Sequence, residues 1–192
     1  ALFSLMLILL VAAPTLAPQS FSFLEPLKVD TDPENMLSKD EPVRVFHNQM
    51  KKEFTLYDLI VVGVVDENDG NGVFNTETLA DVYELTKFAE TIRWTAGAGE
   101  SAERKGVIAV DLIAPSTVDS IEQAGLGSVS FDWLMPAPPQ TEAEALAVRD
   151  RAERIPTLND TLVSGDGKAL AIYIPITSKD VSFRVANQLR KK

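Results

Sequence analysis

Residue types that catalyse reactions are sparse in this sequence. Its 192 residues include one histidine, His47, and no cysteine, so a nucleophile–base pair would have a single possible base. No Gly-x-Ser-x-Gly, His-Glu-x-x-His or phosphate-loop sequence occurs, and these are the motifs that place a nucleophile, a zinc ion or a phosphate. Nothing beside His47 in sequence could orient it as a base, which favours a structural or solvent-facing role. We expect no enzymatic activity and assign no catalytic residue.

One acidic segment has part of the spacing of a calcium loop. Asp66 and Asn68, with Glu77 further on, match its outer positions. The fifth position is Gly70, which has no side-chain oxygen, and the sixth is Asn71, where the loop requires glycine. A solvated loop between a strand and a helix is favoured, and no metal site is predicted.

Two further patterns bear on cofactors and acid–base chemistry. Residues 97–102 match Gly-x-Gly-x-x-Ala, but a dinucleotide loop follows a strand and opens a helix, whereas this segment follows a predicted helix. No cofactor site is predicted. Four carboxylates could form acid–base pairs, but two lie in a helix-capping pattern and two have no evident partner. They are Glu122, Asp132, Glu142 and Glu144.

The first residues are apolar. Residues 1–13 contain Ser4 as their single polar residue, and sixteen helical residues span roughly 24 Å, less than the ~30 Å of a bilayer's hydrocarbon core. We interpret residues 1–17 as the end of a first transmembrane helix. A cleaved signal peptide is the alternative, although the basic start that such peptides carry is missing. Between Ala17 and Val43 there are six acidic residues against two lysines, so the following domain is expected outside the cytoplasm.

The rest of the chain contains both helix and strand patterns. Four prolines in residues 18–42 predict an extended connector. The β-branched run at 58–65 predicts a strand buried on both faces, and Asn75 or Thr76 is expected to cap the helix that follows. A loop is expected at 95–106. The other predicted elements are a helix from Pro42, a strand at 107–113, a short helix at 116–123, a capped helix at 141–154, a hairpin around 164–167 and a last helix from Ser178.

This order predicts the fold class. Helix, βαβ, insertion, helix, hairpin and helix resemble an α+β ferredoxin-like (split βαβ) layer. The domain is expected to cover residues 43–192 and to be incomplete, because no strand follows the last helix. The formal net charge of −10 argues against nucleic acid as a partner, because phosphate binding needs a positive surface.

Several segments together resemble the first periplasmic loop of exporters of the resistance–nodulation–division (RND) superfamily, closest to the MMPL-type group. The segments are residues 29–37, 40–43, 46–47, 58–65, 73–79, 121–127 and 164–175. The resemblance implies a proton-driven inner-membrane exporter of hydrophobic or amphiphilic molecules such as lipids, with this porter-type domain on the periplasmic side. It also implies an integral membrane association, with periplasmic partners or a homo-oligomer. The residues that couple protons are expected in later membrane helices, outside this sequence.

An apolar cluster is the best candidate for a substrate surface. Phe131, Trp133, Leu134 and Met135 could line a site for a hydrophobic ligand, although burial in the core is the favoured interpretation. We therefore assign no binding residue from sequence. A secreted or membrane-anchored binding or interaction module, without a transport role, is the alternative function.

Overall fold

The computed structural model describes residues 2–16, 33–97 and 102–192, and its contacts divide the chain into two compact units, Ala1–Leu56 and Tyr57–Lys192. The first unit contains α1 (Leu2–Leu16), a 3-10 turn (Pro33–Met36) and α2 (Pro42–Glu53). Most of the predicted connector lies outside the described residues.

The helix predicted at the start of the chain is present as α1. It has 15 residues with Pro14 inside, and at ~1.5 Å per residue it measures about 22 Å. In the part of the chain that the structure describes, no helix is both long and apolar enough to span a membrane. α2 begins at Pro42 as predicted, a position where the missing N–H is harmless because the first helical N–H groups are unpaired anyway.

The second unit is an α+β domain with three small antiparallel sheets, which confirms the fold class at that level. Its elements are β1 (Asp58–Val65), α3 (Thr76–Thr91), β2 (Arg93–Ala96), β3 (Glu103–Gly106), β4 (Asp119–Gly125), β5 (Ser128–Trp133), α4 (Glu142–Arg154), β6 (Ala169–Ile176) and α5 (Ser182–Leu189). The sheets pair β1 with β6, β2 with β3, and β4 with β5.

β6 lies at the centre of the main sheet. It pairs with β1 along its full length, with Asp58 opposite Ile176. On its other side, Val107 and Ile113 make single antiparallel bridges to it. The 107–113 segment therefore runs parallel to β1, with β6 between them.

The two faces of β1 differ, so the prediction of burial on both faces is wrong. Ile60, Val62 and Val64 pack against the core, while Leu59, Val61 and Val65 are 52%, 56% and 63% exposed. The core, which includes residues of α3 and α5, therefore lies on one face of β1. The strand itself is confirmed.

The core is formed where the helices meet the sheet. α3 buries Leu79, Val82 and Ala89, and α5 buries Val185 and Leu189. Both helices with predicted caps begin as expected. The Asn75 side chain accepts the Thr78 N–H, and the Thr141 hydroxyl accepts the Glu144 N–H, because a short side-chain oxygen satisfies an unpaired N–H of the first turn.

The prediction of a strand over 107–113 is wrong, and Pro175 explains why. The Ile108 N–H donates to the Pro175 carbonyl at 2.9 Å, while Tyr173 and Ile113 exchange both of their backbone hydrogen bonds. Pro175 has no N–H to return to a neighbouring strand, so the ladder is interrupted there. The segment forms a 3-10 turn (Ala109–Asp111) between its two bridges instead.

Three other predictions need correction. The expected loop at 95–106 contains most of the β2–β3 hairpin, whose short charged strands lack an apolar period. No helix forms at 116–123: residues 116–118 form a turn, and from Asp119 the chain is β4, which pairs with β5. The turn around 164–167 exists, but its first arm is a single bridge from Val163 to Leu170.

Candidate functional site

The β4–β5 hairpin carries several exposed apolar side chains. Ile121 lies opposite Phe131, Gln123 opposite Val129, and the register shifts before Gly125. Gly125 has φ 139° and Gly127 has φ 83°, backbone conformations that L side chains rarely adopt. These glycines make the turn, which places Leu126 at the tip.

One face of this hairpin carries most of its apolar side chains and is open to solvent. Directly opposite residues in an antiparallel pair project to the same face. The register therefore places Asp119 and Gln123 on this face, opposite Trp133 and Val129, and its four apolar residues are Ile121, Val129, Phe131 and Trp133. Their exposures are 60%, 55%, 73% and 48%. We call these four residues the hairpin face.

The base of the hairpin is anchored in the core. Leu134 and Met135, 0% and 1% exposed, follow β5 directly. The Leu134 N–H donates to the Val118 carbonyl at 2.9 Å, and the Met135 N–H to the Pro115 carbonyl at 2.9 Å. The Arg151 guanidinium donates to the Leu134 carbonyl at 2.9 Å. A fixed base therefore supports an exposed apolar face.

The apolar cluster predicted from sequence contains both exposed and buried residues. Leu134 and Met135 are core residues, as favoured from sequence, whereas Phe131 and Trp133 are exposed. Ile121 and Val129 were not predicted from the sequence to belong to an apolar surface. The available signal was the alternation of Val129, Phe131 and Trp133 with serine and aspartate, which is the period of a strand with one apolar face.

A second candidate is a polar cavity of about 670 Å³ where the β1–α3 loop meets the start of α4. Its lining includes five carboxylates: Asp66, Asp69, Glu77, Asp81 and Glu142. The Asp66 carboxylate accepts the N–H groups of Asn68 and Asp69 at 2.9 Å and 3.1 Å. These two backbone hydrogen bonds hold the pKa of Asp66 below its ordinary value.

Asp66 therefore organises a loop, as favoured from sequence for this segment. Its Oδ1 accepts both backbone N–H groups, and its Oδ2 accepts the Asn75 side-chain amide at 3.3 Å. Across residues 2–16, 33–97 and 102–192, no group of three or more acidic or histidine side chains could hold a metal ion.

The other motifs of the sequence lie in several different elements. His47 lies in α2. The 97–102 segment joins β2 to β3 rather than opening a helix, and residues 98–101 lie outside the described residues. Glu142 and Glu144 lie in the first turn of α4, where negative charge interacts favourably with the helix dipole. Asp132 accepts the N–H of Trp133. The structure does not describe the Glu122 side chain.

The chain matches no protein-family model, no curated protein and no solved structure. The candidate function therefore depends on the geometry of the site and on the resemblance in sequence.

Proposed function

We propose that this chain is the periplasmic substrate-handling domain of a proton-driven RND exporter of the MMPL type, which moves hydrophobic or amphiphilic molecules such as lipids across the bacterial inner membrane. The observation that carries the proposal is the hairpin face. Four apolar side chains lie exposed on a hairpin whose base is fixed in the core. Surfaces of this kind mark places where an apolar ligand or partner binds.

The topology of the main sheet supports a ferredoxin-like porter fold. β1 and the 107–113 segment are parallel, and β6 lies antiparallel between them. α3 belongs to the crossover from β1 to that segment, and α5 follows β6. A split βαβ unit has this order and direction, with the 107–113 segment, which makes two isolated bridges to β6, in the place of its second parallel strand. α4 and the two hairpins are additions to it.

The experiment follows binding of an apolar ligand through Trp133. Of the two tryptophans, Trp94 contacts Arg184. The guanidinium carbon of Arg184 lies 3.9 Å from the centroid of the Trp94 ring. Trp94→Phe leaves Trp133 as the single tryptophan and preserves a ring for that contact. The chain is held in lipid nanodiscs and titrated with dibromostearate, whose bromines quench nearby tryptophan. We expect saturable quenching.

The chain offers a matched control for the hairpin face. Phe131 and Phe183 are equally exposed, at 73% and 74%, but Phe183 lies on α5. Removing an aromatic ring that becomes buried by ligand weakens binding by about tenfold, so we expect that loss for Phe131→Ser and no loss for Phe183→Ser. Equal effects of both substitutions, or no saturable quenching, would contradict a ligand site on the hairpin face.

The alternative, a secreted or anchored interaction module, is favoured by the same exposed face because protein partners also bury such surfaces. The two functions differ in the ligand. An interaction module would bind a protein through Phe131 and show no saturable dibromostearate binding. The titration therefore separates them.

A further inference from the structure

A cavity of about 310 Å³ lies between β4 and the C-terminal end of α4. The residues that line it are Ser120, Ile121, Gln123, Arg151, Arg154 and Ile155. Ile121 belongs to the hairpin face, and Gln123 projects to the same side two residues further along β4. The cavity therefore borders the hairpin face, and its volume is at the lower end of the range of small-molecule sites.

The charged side chains of this cavity are positive. The chain has 28 acidic residues against 18 lysines and arginines, yet the described residues that line the cavity include two arginines and no carboxylate. A helix dipole favours basic residues at the C-terminal end of α4, but it does not require them to line one cavity. A net charge of −10 repels anions from the chain as a whole, whereas this cavity attracts them.

The two guanidiniums donate to neutral acceptors. The Arg151 Nη2 donates to the Leu134 carbonyl at 2.9 Å, and the Arg154 Nε donates to the Asp150 carbonyl at 2.9 Å. The Arg151 Nε is buried and, within the part of the chain that the structure describes, has no hydrogen-bond partner. Removing a charge from water without an opposite charge beside it is unfavourable. An anion in the cavity would offset that cost.

A third arginine of α4 provides a contrast. The Arg149 Nε lies 2.7 Å from the Glu153 Oε1, so a carboxylate of the chain itself compensates its charge. Arg149 is not among the residues that line the cavity. The arginines of α4 that line it are therefore the ones whose printed partners in the fold are carbonyl groups.

We propose that the amphiphile bound by the hairpin face is an anion, with its carboxylate or phosphate head in this cavity and its apolar chain on the hairpin face. The inference rests on the proposed function and specifies its substrate class. Arg154 is exposed and Arg151 half-buried, so the head group meets one guanidinium at the opening and the other at the inner wall. Guanidinium groups suit both kinds of head, because their N–H groups match carboxylate and phosphate oxygens.

The test compares two ligands that differ in the charge of the head. The full chain with Trp94→Phe is held in phosphatidylcholine nanodiscs and titrated with dibromostearate or with its methyl ester. Both carry the bromines that quench Trp133, but only dibromostearate is an anion. The pH is alkaline, because burial in a bilayer raises the pKa of a fatty acid. We expect the carboxylate to bind about tenfold more tightly, the effect of hydrogen bonds to a charged group.

Variants of the chain assign that preference to the cavity. Arg154→Gln removes a charge at an exposed side chain and should lower the preference for the carboxylate about threefold, the size expected for an exposed ion pair. Binding of the methyl ester should not change. Arg154→Lys keeps the charge and should keep most of the preference. All variants should have the circular dichroism of the parent.

Arg190→Gln is the matched control. Arg190 is also exposed and also stands at the C-terminal end of a helix, α5, but it lines a different cavity, beside β1. This substitution changes the net charge by the same amount as Arg154→Gln. We expect it to leave the preference for the carboxylate unchanged.

Three results would overturn the inference while the proposed function stands. The first is equal binding of the two ligands, both weakened by Phe131→Ser, because the hairpin face would then bind apolar chains whatever their head. The second is an equal effect of Arg154→Gln and Arg190→Gln, which would assign the preference to net charge. The third is displacement of dibromostearate by inorganic phosphate alone, because the cavity would then be a site for free anions. Absence of saturable quenching by either ligand would instead contradict the proposed function, and this inference with it.

Discussion

Phe131 and Leu134 lie three residues apart but in opposite environments, 73% and 0% exposed. Leu134→Ala leaves a cavity beneath the hairpin and should lower the free energy of unfolding by about 2–5 kcal/mol. Phe131→Ser removes a side chain that contacts mainly solvent and should change it by less than about 0.5 kcal/mol. Urea denaturation followed by circular dichroism measures both. Equal destabilisation would mean that Phe131 is buried in solution.

Gly63 and Gly72 provide a second contrast at the residue scale. A Cβ at Gly63 would meet no atom within 4 Å, whereas one at Gly72, where φ is 61°, would collide with the backbone of Gly167. Glycine inside a strand costs about 0.5–1 kcal/mol relative to alanine, so Gly63→Ala should stabilise the chain by about that amount. Gly72→Ala should destabilise it by more than about 1 kcal/mol. Thermal unfolding at matched pH compares them, and a loss of stability in Gly63→Ala would refute this account of β1.

The sequence did not predict which apolar side chains at the candidate site are buried. Phe131, Trp133, Leu134 and Met135 are all apolar, but the chain passes from the exposed hairpin into the core between Trp133 and Leu134. That boundary depends on hydrogen bonds to Val118 and Pro115, which lie far away in sequence. The residues at 131–135 alone therefore do not predict these contacts.

At the scale of elements, the sequence correctly predicted the helices that are stabilised by residues next to them in the chain. α3 and α4 have side-chain caps at Asn75 and Thr141, and both begin where the sequence placed them. The 107–113 segment differs because its partner strand decides its conformation. Pro175, more than sixty residues away, removes the donor that a regular strand there would need.

The β1–α3 loop should loosen in acid. The ionised Asp66 carboxylate accepts the N–H groups of Asn68 and Asp69, and these bonds lower its pKa in the folded state. Because the pKa of Asp66 is lowered in the folded state, its ionised carboxylate stabilises the fold at pH values above the ordinary pKa of aspartate, about 3.9. This stabilisation is lost as the pH falls through the lower value of the folded state. Amide chemical shifts of Asn68 and Asp69, followed from pH 6 to pH 2, should report this change.

Asp66→Asn is the control for that titration. The amide oxygen can still accept a hydrogen bond, but the side chain no longer ionises. We expect the acid-induced shifts at Asn68 and Asp69 to disappear in this variant. Persistence of the same shifts would assign the titration to another group.

At the scale of the whole chain, the described core belongs to one unit. All its buried apolar residues, from Val73 to Leu189, lie within Tyr57–Lys192. In α2, by contrast, no residue is buried. Because burial of apolar surface is the main favourable contribution to folding, the second unit contains what it needs to fold.

A chain restricted to residues 57–192 should therefore unfold cooperatively, with a midpoint within about 4 °C of that of the full chain, which corresponds to roughly 1 kcal/mol at this size. Differential scanning calorimetry of both proteins measures this. Residues 66–192 are the matched control: they lack β1, the strand paired along the full length of β6, and should show no cooperative transition. A much lower midpoint for residues 57–192 would show that the first unit contributes to the stability of the second. Cooperative unfolding of residues 66–192 would instead show that β6 needs only its bridges to the 107–113 segment, and β1 would then be an accessory strand.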